Sequence, residues 1–187
     1  MLSLRHKLLI GFGGLLVIMA IIGLRGIMQV SDIGHAIQNI MRENYRSVMA
    51  CQDMKEAIER IDDGVLFITM GHQAEGTAAI DMYLSLFEKA LNTELNNITL
   101  PGEGARANQI KALFTRYRSL VTSLRDTSLH PADMIRIYFT ELIPLFREIK
   151  VNAEQILTMN QENMHQASQQ ARLKVSATRQ EMYALLI

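Results

Sequence analysis

The chain carries an apolar run from Leu8 to Leu24 without one charged residue, and that run opens directly into a long helical repeat. At about 1.5 Å per residue it spans roughly 26 Å as a helix, and Gly26 to Met28 bring it to about 30 Å, the thickness of a bilayer core. Arg5, His6 and Lys7 precede it. Basic residues beside a span resist translocation, so this end is expected in the cytoplasm. Arg25 falls at the outer interface, where its stem can snorkel. A secretory signal shares the basic start and apolar core, but no small-residue cleavage pattern follows Leu24 and the helical pattern continues unbroken. The stretch reads as an uncleaved anchor. Residues 1–7 are then a cytoplasmic start, 8–28 a transmembrane helix and 29–183 a domain outside the inner membrane, periplasmic or extracellular.

From Val30 the apolar positions step by three and four. Val30, Ile33, Ile37, Ile40, Asn44, Ser47, Cys51, Met54, Ile58, Ile61, Val65 and Ile68 form one seam, apolar except at Asn44 and Ser47. A repeat held that long is the seam of a bundle or coiled coil. Helix one is expected to run on to about Gly71, with Glu56 and Arg60 paired four apart on its surface. A turn at Gly71–Gly76 leads to helix two (77–97), with Ile80, Tyr83, Leu84, Phe87, Leu91 and Leu95 on one face. The Pro101-Gly102-Glu103-Gly104 break leads to helix three (105–128), packing Ile110, Leu113, Phe114, Tyr117, Leu120, Val121 and Leu124. Helix four starts at Pro131 and continues to the end, with a kink expected at Pro144, whose ring displaces the carbonyl of Thr140. The expected fold is all-α: an up-down-up-down four-helix bundle with helices one and four extended towards the membrane. Residues 184–187 look like the first turn of a second span, as in a chain cut at that point.

Helices two and three are shorter than one and four, so the membrane-proximal half would hold only two helices per chain. Two helices cannot bury such a seam alone. A parallel homodimer would supply the rest.

If helix four returns to the membrane, positions at one height on helices one and four sum to about 212, given equal rise. Asn44 and Ser47 then lie level with Asn160 and Asn163, and the Pro101–Gly102 turn falls at the same height. Two readings stand. Buried asparagines can fix register and oligomeric state. Alternatively the layer is a ligand pocket or hinge, with Asn44, Arg46, Ser47, Asn160 and Asn163 offering polar groups to an anion or small polar solute and Pro144 as a second weak point.

Other chemistry is thin. Lysine plus arginine equals aspartate plus glutamate, so the net charge is zero and the basic footprint of a nucleic-acid binder is missing. Glu162-x-x-His165 has the spacing of carboxylate-bridged metal bundles, but a second pair at the same height is lacking. No metal, no cofactor and no catalytic residue is expected. Asp62-Asp63 reads as a solvated face, and the lone cysteine, Cys51, as a small buried hydrophobe.

Several stretches carry a family resemblance: Asn44-Tyr45-Arg46-Ser47-Val48, Asn96 through Gly104, Tyr138-Phe139 through Pro144-Leu145-Phe146, and Ile156-Leu157 with Asn160-Gln161 and Met164. With the anchor and long hairpins they resemble the sensor region of bacterial membrane-bound histidine kinases of two-component systems, similar to the group that regulates alginate production. The resemblance implies a second span, a linker, a dimerising histidine helix pair and an ATP-binding domain, acting on a response regulator. Beyond the start of the second span none of these is in this chain, which would be the input half, with an unknown small-molecule or periplasmic ligand. A chemoreceptor (methyl-accepting) input domain or a ligand-free membrane-anchored helical scaffold shares the layout.

Overall fold

The computed structural model describes residues 4–125 and 129–185. Its elements are α1 (Leu4–Thr69), α2 (Gln73–Leu95), α3 (Glu103–Leu124), α4 (Pro131–Ile137), a π turn (Tyr138–Leu142) and α5 (Ile143–Leu185). The end of the expected third helix (126–128) and Leu186–Ile187 of the expected second span lie outside the described residues. The chain divides into two compact units: Arg42–Met164, and the residues up to Met41 with those from His165 on.

Arg42–Met164 is a four-helix bundle built from the distal part of α1, α2, α3, and α4 continued through the π turn into α5. The seam read from α1 is its wall. Asn44, Ser47, Cys51, Met54, Ile58, Ile61, Val65 and Ile68 are all buried. Opposite them pack Ile80, Phe87 and Leu91 of α2, Ile110, Phe114, Tyr117 and Val121 of α3, and Leu145, Ile149 and Ile156 of α5. Phe87 and Phe114 stack at 3.8 Å between centroids, joining α2 to α3. Cys51 is a free, fully buried thiol.

The turns have local causes. Gly71, at φ 92°, ends α1. The amide of Gly71 bonds the carbonyl of Ile68 and that of His72 bonds Phe67, the paired bonds of a Schellman cap, with the Phe67 and His72 rings in contact. Immediately after the cap, α1 and α2 approach at glycines. A Cβ on Gly76 would stand 2.5 Å from the Gly64 carbonyl oxygen and 2.7 Å from Ile68 Cγ1. Pro131 opens α4 behind His130, whose Nδ1 accepts from the amide of Ala132.

The α1–α5 register is fixed by two surface pairs, Lys55 with Glu154 and Glu59 with Lys150. Four residues forward on α1 match four back on α5, within a turn of the expected alignment. Three expectations need correction. Arg60 pairs with Asp63 at 3.5 Å rather than with Glu56. Asp62 is half-buried, not a solvated face, and accepts from the Tyr138 hydroxyl at 3.0 Å. The distortion expected at Pro144 takes the form of the π turn just before it, where the Ile143 amide bonds the carbonyl of Tyr138. Proline has no N–H to close the next α-turn, so one widened turn absorbs the break.

In the other unit, the α1 stretch that includes Leu8–Leu24 is apolar and unburied, long and hydrophobic enough to cross a membrane. Val30 is exposed, and Ile33, Ile37 and Ile40 are only partly covered. Arg25, Asp32 and Lys174 gather around one small cleft there, which brings α1 and α5 side by side.

Gly76→Ala should destabilise the protein by about 1–3 kcal/mol, because the added methyl meets backbone. Gly34→Ala, with nothing within 4 Å, should stabilise by about 0.5–1 kcal/mol. Denaturant unfolding of the full chain in detergent, followed by circular dichroism, measures both.

Candidate functional site

The polar residues of the α1 and α5 seams meet in one network, and its centre is a residue of the α2–α3 turn. Glu103 is the first residue of α3, preceded by Gly102 at φ 86°. Its side chain is fully buried. Oε2 accepts from the amides of Thr99 and Leu100 at 2.6 and 2.9 Å, and Oε1 accepts from Asn160 Nδ2 at 2.6 Å. An acid here also faces the positive end of the α3 dipole. Asn160 Nδ2 reaches back to the Ile156 carbonyl as well.

Two further links tie in α1. The Thr99 hydroxyl donates to Asn44 Oδ1 at 3.3 Å. Asn97 Nδ2 donates to the Ser47 hydroxyl at 2.9 Å and to the Glu43 carbonyl at 2.8 Å. Glu94, near the end of α2, is fully buried beside Ser47 and Glu103. Burial pushes its carboxyl up to about 7; the Ser47 hydroxyl opposes that shift and the Glu103 carboxyl adds to it. One turn away, burial holds the Cys51 thiol far above its usual range; the charges of Glu94, Glu103 and Glu154 add to the shift and Lys55 opposes it.

Thus Asn44, Ser47 and Asn160 come together in one network, as the register estimate required. Arg46, Asn163 and Pro144 do not join it. Arg46 is exposed, Asn163 half-buried, and Pro144 stands more than four turns before Asn160 on the same helix, roughly 24 Å away. Glu94, Asn97 and Glu103 were missed. Glu94 continues the three-four stepping of α2 from Phe87 and Leu91, and that spacing was a usable signal. Glu103 sat within a motif read as a helix break and as part of the family resemblance, not as a buried acid.

Arg46 instead lines an open groove of about 1010 Å³ between α1 and α2. Arg42, Arg46 and Lys89 share it with Glu43, Asp53 and Glu56, and none of these six is held in an ion pair among the described residues. Asn97 lines the same groove, so it is common to the groove and the buried layer. A second titratable contact lies elsewhere in the bundle: burial and the neighbouring Asp62 push the Tyr138 hydroxyl up to about 12.

A family model described as a four-helix bundle sensory module for signal transduction matches residues 1–174, and the chain belongs to that family. No curated protein and no solved structure matches the chain significantly. The protein is therefore a membrane-associated four-helix sensory module, of the kind found in signalling receptors.

Removing the Glu103 carboxylate leaves the Thr99 and Leu100 amides without their acceptor and takes one of the two acceptors from Asn160 Nδ2. Glu103→Ala should cost about 3 kcal/mol or more in denaturant unfolding, and Glu103→Gln, which keeps one acceptor oxygen, should cost less. Cys51 should resist a thiol reagent in the folded chain and react only on denaturation, which absorbance of the released dye would follow.

Proposed function

We propose that the chain is the extracytoplasmic input module of a transmembrane signalling receptor. Residues 8–28 anchor it, residues 1–7 stay in the cytoplasm, and residues 29–183 lie outside the membrane. The observation that carries this is the juxtaposition of an unburied apolar α1 segment with a four-helix sensory bundle on the same continuous helix. A stimulus shifts such a module only through unequal affinity for two arrangements. The groove, with its six unpaired charges, is the surface offered to a small charged solute, and Asn97 relays its occupancy to the buried layer.

A second copy is the further partner. Val30, Ile33, Ile37 and Ile40 continue the buried α1 seam but are left open or half-covered in one chain, which favours a parallel homodimer. Downstream, the resemblance to alginate-regulating kinases favours a histidine kinase acting on a response regulator. The family match supports a methyl-accepting receptor at least as well. Both outputs use the same input, and the proposal is the input.

Topology is testable because Cys51 is shielded. With Leu4→Cys and His35→Cys variants in intact cells, a membrane-impermeant thiol reagent should label position 35 directly and position 4 only after permeabilisation. The reverse pattern, or labelling of both in intact cells, contradicts the assignment. For the groove, Arg46→Ala should melt like the parent chain and lose the melting shift produced by whichever anion, amino acid or dicarboxylate stabilises the parent in a screen. An unchanged shift removes Arg46 from the site.

A further inference from the structure

The buried layer is short of a hydrogen-bond donor. Both oxygens of Glu94 and Oδ1 of Asn160 are buried acceptors without a partner, and among the described residues of this layer Asn44 Nδ2 is the one buried donor left over. Glu103 is the charged neighbour that acts on Glu94 in this layer, and it raises the Glu94 carboxyl further. Two ionised carboxylates cannot bond, since both only accept. One proton between them turns repulsion into a bond and supplies the missing donor. Buried, interacting acid pairs hold a shared proton for this reason.

We propose that Glu94 and Glu103 hold one proton between them, and that its release to solvent loosens the layer joining α1, α2, α3 and α5, so that the module reads pH. Glu103 is already committed to the Thr99 and Leu100 amides and to Asn160, so Glu94 is the group that carries the proton. The groups that act on Glu94 are Ser47 of α1 and Glu103 of α3, and Glu94 in turn acts on Cys51 of α1. The charge acting on Glu94 is that of Glu103, and no cation offsets it. Lys55 acts on Cys51 and is paired with Glu154. Asn97, which borders the groove, gives the proton a route to water.

The sign follows from linkage. The folded bundle holds the Glu94 proton up to about 7, against 4.5 for an ordinary glutamate. Its stabilising contribution is complete below that ordinary value and is lost as pH rises through about 7. Asp62, also raised by burial, adds in the same direction, so substitution must separate the two. The coupling to output rests on the receptor reading; the proton does not.

The test uses the full chain in lipid nanodiscs. Infrared difference spectra between about pH 5 and about pH 8 should show the carbonyl band of a protonated buried carboxyl that disappears on raising pH and is missing in Glu94→Gln. The parent's melting temperature should fall over that interval by on the order of 5 °C. Glu94→Gln, whose amide can donate to Glu103 at any pH, should flatten much of that fall, while Asp62→Asn should leave the Glu94 band in place. Absence of the band in the parent chain, or its persistence unchanged in Glu94→Gln, overturns the proposal. If Glu94→Gln does not fold, the Asp62→Asn spectrum decides: the band must persist there, and its loss there overturns the proposal. Failure of the topology test would leave the band intact, so the two readings fail separately.

Discussion

The polar layer at the end of the bundle hangs from the Glu103 carboxylate. Its three N–H partners come from a turn and from α5, and through Thr99 and Asn97 that turn is fastened to α1. A buried carboxylate without such donors would be expelled or neutralised. With them it fixes the end of α2, the start of α3 and the position of α5 at one level. Gly102 has no side chain to cap α3, so the first residue of the helix serves the preceding turn instead.

The contrast with the rest of the core is mechanical. The layers from Met54 to Ile68 are apolar and close-packed, with stacked rings at Phe87 and Phe114. Such packing resists sliding and has one good arrangement. The layer at Asn44, Glu94, Glu103 and Asn160 is different, because it holds buried polar atoms without hydrogen-bond partners. Buried polar networks stabilise when complete and weaken steeply when one partner is lost. The bundle unit ends at Arg42 and Met164, a few residues beyond Asn44 and Asn160. A device that changes the grip on α1 and α5 at that level acts on the two helices that leave the bundle.

Much of this was legible in the amino-acid order. The three-four stepping of α1 named its buried face residue by residue, since a helix period is a strong signal over so many turns. Gly71, Pro131 and the Pro101–Gly102 pair marked the turns through their backbone preferences. Asn44, Ser47 and Asn160 stood out as polar positions in apolar seams. Glu94 and Glu103 did not, because acids near helix ends are ordinary surface residues, and only tertiary packing buries these two. Asp62 was misread for the same reason: its partner, Tyr138, is distant in sequence and reaches it from the π turn. Pro144 announced a break but not its form, since a kink and a widened turn solve the same missing N–H. Arg46 sat inside a motif with Asn44 and Ser47, yet helix geometry turns it outward to the groove.

Hydrogen exchange at the backbone amides of Thr99 and Leu100 tests the central claim most directly. Both lie in a surface turn outside any helix and would exchange quickly if left to solvent. The account predicts that they are protected like the amides of α3 in the native chain and lose that protection in Glu103→Ala. Exchange of these two amides at the rate of an unstructured loop in the native chain would contradict it.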